Sequence, residues 1–291
     1  MFIRGINLLI LAALIFSTSS FALENREWQV LCDQNDPVYC NLLGQGNLAE
    51  KSYKDAFKFF KKSCELKNGE GCARIASMYF NAQGVKKSLK KTKSIYTRSC
   101  DLGYGDGCFS LAELYEYDYD FEPYRKDAYP LYERACENGS ARGCSNLGSS
   151  YEKGLAVAPN PEKARYYYEW SCKLKDGTGC LKVATFYSDK TIGTPQYDKA
   201  LEFYEKACEL QVPEGCVNLG ILYEEGNGDE KDLSMAAAYY KIGCSLDNGT
   251  SCYYFAMSLE NGAGVDKDPK LANKLYQKAC KLNEFRACSN Q

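Results

Sequence analysis

The chain has 291 residues, a formal net charge of −2 at pH 7, 16 cysteines and no histidine. Its near-neutral charge excludes a strong basic field for holding nucleic acid or an anionic membrane. Without histidine, Ser–His and Cys–His nucleophile pairs and histidine-ligated zinc are also excluded.

Residues 1–22 have the pattern of a secretory signal peptide. One basic residue, Arg4, precedes an apolar run, and Ser20 and Ala22 are the small residues that a cut after position 22 requires. An uncleaved membrane anchor is the alternative, but the apolar run is short for a bilayer span. We therefore predict a mature chain that starts near Leu23 and is secreted or periplasmic, in a compartment that oxidises cysteines.

The cysteines form eight pairs with a constant separation of eight residues, and from the second pair onward each pair follows the last by 36 residues. A fixed period of this size is typical of a solenoid. The paired positions are Cys32 with Cys40, Cys64 with Cys72, Cys100 with Cys108, Cys136 with Cys144, Cys172 with Cys180, Cys208 with Cys216, Cys244 with Cys252, and Cys280 with Cys288.

Other positions repeat in register with the cysteines. Four residues before each first cysteine there is an aromatic residue, such as Tyr168, and eight before it there is usually a small one, such as Ala164. An apolar residue, a Gly or Ala and usually a Tyr follow the second cysteine at +3, +4 and +7, as in Val183, Ala184 and Tyr187. Both sets have helical spacing, so each repeat is predicted to contain two helices.

In one repeat the predicted helices span Pro161–Lys173 and Thr178–Ser188. Pro161 suits a first helical turn and Asn160 can act as its N-cap. Gly177 is predicted to adopt the left-handed conformation that closes the first helix. A Gly-rich loop then leads to the next repeat.

The first cysteine ends one helix and the second opens the next, so a tight hairpin brings both within disulfide reach. All sixteen cysteines are therefore predicted to form disulfides within their pairs. Metal binding is the alternative, but zinc sites use cysteines two to four residues apart, and the chain has no C-x-x-C. No metal site and no cofactor are predicted.

The recurring tyrosines are interpreted as core residues with hydroxyls at a hydrated edge. Residues 115–124, YEYDYDFEPY, depart from the Gly-rich loops of other repeats. They are either a degenerate loop or a contact patch for a cationic or peptide partner. The neighbouring acids Glu224 and Glu225, and likewise Asp118 and Asp120, are interpreted as solvated loop charges.

The segments ACELQVPEGCVNLGILYEEG (207–226) and SCELKNGEGCARIASMYFNAQGV (63–85) resemble Sel-1-like repeats, which are related to tetratricopeptide repeats. With the cysteine pairs and signal peptide, the chain resembles the Helicobacter cysteine-rich protein (Hcp) family. This resemblance implies an all-α fold, a right-handed solenoid of αα-hairpins, each stapled by a disulfide. The predicted organisation is one solenoid over 23–291 of about eight repeats, the first irregular.

The resemblance implies an exported scaffold that binds a protein or peptide on a concave face. We predict that helix residues outside the repeating positions line that face in part, such as Arg165, Tyr166, Lys199 and Glu202. No nucleic acid partner and no membrane insertion after signal cleavage are predicted.

The resemblance also implies an alternative, weak β-lactam binding or hydrolysis, with a β-lactam or peptidoglycan-like ligand. S-x-x-K occurs at Ser88–Lys91 and Ser150–Lys153, but S-D-N and K-T-G, which serine β-lactamases also need, are absent. No catalytic residues are therefore assigned.

Overall fold

The computed structural model describes residues 26–117, 128–155, 157–191, 194–228 and 230–290, and in these ranges the regular structure is helical with no strand. The signal peptide at 1–22 and most of the segment 115–124 lie outside the described residues. The chain forms two compact units, one ending at Gly139 and the other beginning at Ser140. Helices that are consecutive in the chain pack on each other within each unit.

The first unit contains seven described helices: α1 (26–33), α2 (Pro37–Ala49), α3 (Tyr53–Glu65), α4 (Gly69–Phe80), α5 (Leu89–Asp101), α6 (Gly105–Tyr117) and α7 (Ala128–Glu137). The second unit contains eight described helices and a 3₁₀ turn: α8 (Ala141–Lys153), α9 (Pro161–Lys173), α10 (Gly177–Ser188), α11 (Tyr197–Glu209), α12 (Pro213–Glu225), α13 (Leu233–Ser245), α14 (Gly249–Asn261), α15 (Pro269–Lys281) and the turn Phe285–Asn290. The predicted all-α repeat fold is confirmed.

Most helices begin at a side chain that caps a free backbone N–H. Asn160 accepts a hydrogen bond from the Lys163 N–H at 2.9 Å, as predicted, and Pro161 occupies the first turn of α9. Asn68 and Asn248 cap α4 and α14 in the same way. These caps satisfy donors that a helix cannot pair internally, so each helix start is encoded locally.

The prediction that Gly177 closes α9 in a left-handed conformation is wrong. The left-handed residue is Lys175, with φ of 64°, and Gly177 is the first residue of α10. A Cβ at position 177 would lie 2.6 Å from Cγ2 of Val212 and 2.9 Å from Cβ of Leu210. Glycine is therefore required here because the next hairpin's turn packs against the backbone.

The cysteine pairs lie where one helix of a hairpin ends and the next begins. In seven pairs the two Cα atoms are 4.4–5.0 Å apart, within the range that a disulfide spans, and the structure joins each pair in a disulfide. These seven bonds join Cys32 with Cys40, Cys64 with Cys72, Cys100 with Cys108, Cys172 with Cys180, Cys208 with Cys216, Cys244 with Cys252, and Cys280 with Cys288.

Cys136 and Cys144, the other two cysteines of the sequence pattern, are each disulfide-bonded as well. Most of the sixteen cysteines are buried. The pairing within hairpins thus agrees with the arrangement expected from the spacing of eight residues. The formation of all eight bonds stays a prediction.

A serine–glycine pair accompanies several of these disulfides and lets the two helices approach closely. A Cβ at Gly179 would lie 2.7 Å from Cβ of Ser171, and a Cβ at Gly71 would lie 2.7 Å from Cβ of Ser63. Near Cys244 the same pair occurs in reverse, with Gly243 facing Ser251. The space between the two helices therefore holds only one side chain at this position, and the serine that supplies it can be on either helix.

The aromatic residues before the first cysteines form the core, as predicted. Tyr168 and Tyr240 are each 1% exposed. Each packs on a glycine of the preceding helix: a Cβ at Gly148 would lie 2.9 Å from the Tyr168 ring, and one at Gly220 would lie 2.5 Å from the Tyr240 ring. A small residue at this position thus makes room for the next repeat's ring.

The 3₁₀ turn after α15 is held by an ion pair that packs on an aromatic ring. The guanidinium of Arg286 lies 4.8 Å from the ring centre of Tyr253, and its Nε donates to Glu284 at 2.8 Å. Thr250 donates to the same carboxylate at 2.9 Å. The hydrogen bonds from Arg286, followed by that from Thr250, lower the pKa of Glu284 from 4.5 to about 2, although burial opposes this shift.

We expect Glu284→Gln to destabilise the second unit at neutral pH, by about 3 °C in Tm. The folded-state pKa of Glu284 is lowered, so its contribution is present above the unfolded pKa and is lost as pH falls through the folded value. The Tm difference from wild type should therefore shrink between about pH 4.5 and pH 2. The measurement is thermal denaturation at a series of pH values, with the exposed Glu209→Gln as control. A difference that does not change with pH would contradict this role.

Candidate functional site

A tyrosine–glutamate hydrogen bond recurs between consecutive repeats. We call the residue eight positions after each second cysteine the glutamate position. The first two repeats hold Leu48 and Phe80 there, and the next five hold Glu116, Glu152, Ser188, Glu224 and Glu260. The tyrosine 16 residues later donates to it at 2.5–2.7 Å in four pairs: Tyr132–Glu116, Tyr168–Glu152, Tyr240–Glu224 and Tyr276–Glu260. The hydroxyl of a core tyrosine therefore binds a carboxylate, and three of these four carboxylates belong to exposed residues, Glu152, Glu224 and Glu260.

Glu224 is exposed, as the sequence predicted, but it lies on α12 rather than in a loop and accepts the Tyr240 hydroxyl at 2.6 Å. Burial raises the pKa of Tyr240, and the hydrogen bond and charge of Glu224 raise it further. The pKa of Tyr168 is raised in the same way, by burial first and then by Glu152. These tyrosines therefore act as neutral donors at physiological pH.

The repeat changes character after α10. Ser188 occupies the glutamate position, and its Oγ lies 3.0 Å from the hydroxyl of Tyr204. The C-cap of α10 is not the left-handed glycine that ends α8, α12 and α14 but Asp189, which is extended with φ of −76° and ψ of 114°. Two cavities lie beside this loop.

The first cavity has a volume of about 320 Å³ and is centred on Tyr187, between α9, α10 and α11. Arg165 donates to the Tyr187 hydroxyl at 2.7 Å and to Glu162 at 2.7 Å. The ammonium of Lys199 lies 5.0 Å from the centre of the Tyr187 ring. Burial raises the pKa of Tyr187, and the charge of Glu169 adds to this. The cavity thus presents two cations, the carboxylates of Glu162 and Asp189, and an aromatic ring.

The second cavity has a volume of about 380 Å³ and lies between α10, α11 and α12. Ser188, Tyr204 and Asn218 line it. Lys190 lies at its exposed rim, together with the acids Asp189 and Glu225. Sequence reasoning missed this site. Its signal was the single serine in a series of glutamates.

The outer surface of α9 is apolar beside the first cavity. Tyr166 is 51% exposed and Trp170 is 39% exposed, with ring centres 6.1 Å apart. In three other repeats the position of Trp170 holds a cation that binds a carbonyl of the preceding repeat: Arg98 with Cys64 at 3.0 Å, Arg134 with Cys100 at 3.2 Å and Lys278 with Cys244 at 2.8 Å. An aromatic replacement therefore exposes a surface that these repeats use for internal packing.

The structure places the four predicted ligand-contacting residues on α9 and α11 but does not bring all of them together. Arg165 and Lys199 both approach Tyr187 in the first cavity. Tyr166 is exposed nearby on α9. Glu202 instead pairs with Lys206 at 2.5 Å along α11.

Both S-x-x-K serines have structural contacts. The Ser88 Oγ accepts the backbone N–H of Lys91 at the start of α5, while the Lys91 ammonium lies 3.3 Å from the Tyr79 hydroxyl. The Ser150 hydroxyl donates to the Asn146 carbonyl at 2.9 Å within α8. Both hydroxyls therefore serve the local helix backbone.

The described residues contain neither a cluster of metal-binding side chains nor a helix that could span a membrane. No group of three or more Cys, Asp or Glu side chains in this part of the chain is placed to hold a metal ion. None of the helices described is long and apolar enough to cross a membrane.

Comparison with solved structures shows the same fold at low sequence identity. A protective antigen of uropathogenic Escherichia coli with an SLR fold superimposes with a TM-score of 0.71 at 20% identity, over 92% of this chain and 60% of that one. A Sel1 repeat protein from Oxalobacter formigenes gives a TM-score of 0.70 at 21% identity, over 82% of this chain and 98% of that one.

Sequence comparison identifies the family through the repeats. One relative is HcpC of Helicobacter pylori, a protein described as a candidate beta-lactamase. It is 38% identical to this chain over 57 residues, which is 20% of each of the two chains. The Sel1 repeat is matched seven times, at residues 39–68, 69–104, 105–140, 141–176, 179–212, 213–248 and 250–284. The chain therefore belongs to the Sel1 repeat family, and its cysteine-paired repeats are similar to those of the Helicobacter cysteine-rich proteins.

Proposed function

We propose that this protein is an exported scaffold that holds a peptide segment of a partner protein at the α10–α11 region. The observation that carries the proposal is the pair of cavities beside the described helix connection where Ser188 replaces glutamate. Repeat proteins of this architecture present extended surfaces made of neighbouring helices, which suits a peptide ligand.

The chemistry around the first cavity supports a peptide rather than a small apolar ligand. Lys199 makes no ion pair among the described residues and can reach a carbonyl or carboxylate. Tyr166 and Trp170 supply an exposed aromatic surface beside it, and such side chains contribute much of the energy of protein interfaces. A ligand could therefore bind both the polar cavity and the apolar face of α9.

Site-specific photo-crosslinking tests this scaffold function. The mature chain would carry a benzoylphenylalanine at Tyr166 or, as control, at the exposed Lys61 in the first unit. We expect one discrete partner at position 166, competed by unlabelled mature protein and reduced by Trp170→Ala. Equal capture at both positions, or capture that does not saturate, would reject the proposed surface.

Export is the other part of the proposal. It is supported by the residue pattern at 1–22 and by the disulfide-joined cysteines, which persist in oxidising compartments. The mass of the protein recovered from periplasm and medium should correspond to a chain that begins at Leu23. Full-length protein retained in the cytoplasm with free thiols would contradict it.

A further inference from the structure

The second cavity can be compared with the same place in the preceding repeat, which has a glutamate, Glu152, where the cavity has Ser188. In that repeat the carboxylate of Glu152 accepts the Tyr168 hydroxyl at 2.7 Å and pairs with Lys182 at 3.2 Å. In the next repeat, the equivalent positions hold Ser188, Tyr204 and Asn218. The tyrosine donor therefore remains, while the carboxylate that it meets elsewhere is replaced by a serine hydroxyl.

We propose that the second cavity binds a carboxylate carried by a peptide, which takes the place of the missing glutamate side chain. Ser188 and Tyr204 share one hydrogen bond at 3.0 Å, so one of their two hydroxyls keeps a hydrogen that it can donate to the carboxylate. The Asn218 amide lines the same cavity and is a further donor. The ammonium of Lys190 lies at the rim and makes no ion pair among the described residues. That the carboxylate belongs to a peptide rests on the proposed function.

Two acids at the rim do not prevent this binding. Asp189 is turned into its own loop, where one carboxylate oxygen accepts the N–H and the hydroxyl of Thr191, each at 2.7 Å. Glu225 accepts the side-chain amide of Asn227 at 2.5 Å. Their charges weaken a carboxylate's approach, but neither acid forms a hydrogen bond with the Ser188–Tyr204 pair or with Asn218 among the described residues.

NMR titration of the mature protein with acetate tests the carboxylate chemistry without any partner. Acetate should cause saturable shifts at the backbone amides of residues 188–190, 204 and 218, and acetamide at the same concentration and ionic strength should not. Tyr204→Phe should weaken acetate binding at least tenfold. Ser188→Glu should abolish it, because the new side chain recreates the arrangement of the neighbouring repeats.

Glu152→Ser is the matched variant for a gain of binding. It removes the carboxylate from Tyr168 and Lys182 while leaving both donors in place. We expect acetate to bind there as well and to raise the Tm of this variant more than that of wild type. This result would show that a vacant glutamate position is sufficient for carboxylate binding.

Two peptides distinguish the sources of the carboxylate. Acetyl-Gly-Glu-Gly-amide carries it on a side chain, and acetyl-Gly-Gly-Ala with a free carboxyl end carries it at the C-terminus. Either peptide shifting the same amides as acetate supports the proposal. Failure of both peptides while acetate binds overturns the peptide part.

The carboxylate site is overturned if acetamide or methylammonium binds as well as acetate, or if Ser188→Glu leaves acetate binding unchanged. Crosslinking at Tyr166 does not depend on this cavity, so failure here and failure of the scaffold function are separable.

Discussion

Gly179→Ala is expected to destabilise the second unit by about 1–3 kcal/mol, even though alanine is the better helix former. The added Cβ would lie 2.7 Å from Cβ of Ser171 and 3.0 Å from the backbone nitrogen of Cys172, so the helices joined by the disulfide must move apart. Chemical denaturation followed by circular dichroism measures the loss. The control is Gly46→Ala on α2, where a Cβ meets nothing within 4 Å and a small gain is expected.

The reversed pair near Cys244 supplies a second control. The double variant that combines Ser171→Gly with Gly179→Ser copies the arrangement of Gly243 and Ser251 and should recover most of the stability that Gly179→Ser alone loses. Such coupling is the property that a double-mutant cycle detects. If Gly179→Ala were as harmless as Gly46→Ala, or if the double variant were no better than the single one, close packing at this position would be refuted.

Reduction of the disulfides is expected to unfold most of the mature chain at room temperature. Each bond closes a short hairpin loop, which corresponds to about 2–3 kcal/mol in the chain-entropy account. The seven bonds together correspond to about 14–21 kcal/mol, which matches or exceeds the upper end of the roughly 5–15 kcal/mol by which a domain is typically stable. Far-UV circular dichroism before and after a phosphine reductant, with a count of released thiols, measures the effect.

Removal of single pairs shows whether this stabilisation is local. Replacing Cys32 and Cys40 by alanine should affect mainly α1 and α2, whereas replacing Cys172 and Cys180 should affect the packing of several helices in the second unit. Stability in repeat arrays is a sum of local and neighbouring terms, so an interior loss spreads further than a terminal one. A fully reduced chain that keeps its helix content and Tm would contradict the prediction.

The fold could be predicted because its signals are periodic and local. The bounds expected for α9, Pro161–Lys173, match the structure, and Asn160 is the cap that was expected. Gly177 was misassigned because two physical demands favour glycine within a few residues, a left-handed turn and a close approach between hairpins. In the structure Lys175 adopts the left-handed turn, and Gly177 is the glycine that the close approach between hairpins requires.

The candidate site could be predicted only in part. Arg165 and Lys199 were identified as polar residues outside the core pattern of predicted helices, and both line the first cavity. The second cavity depends on two positions 16 residues apart, Ser188 and Tyr204, which belong to successive repeats. Neither position attracts notice in the sequence alone, because the glutamates that other repeats have at the position of Ser188 lie near helix ends, where an acid usually indicates a solvated charge. Only the contact between Ser188 and Tyr204 shows that the serine stands where a glutamate carboxylate binds the equivalent tyrosine in neighbouring repeats.

The matched Sel1 repeats place a disulfide at junctions between consecutive repeats rather than inside them. The repeat 213–248, for example, contains Cys216 and Cys244, whose partners Cys208 and Cys252 belong to its two neighbours. Deleting or duplicating such a 36-residue block would bring another second cysteine eight positions after the preceding first one. The array could therefore lengthen or shorten by whole blocks, during evolution or in the laboratory, without leaving a cysteine unpaired.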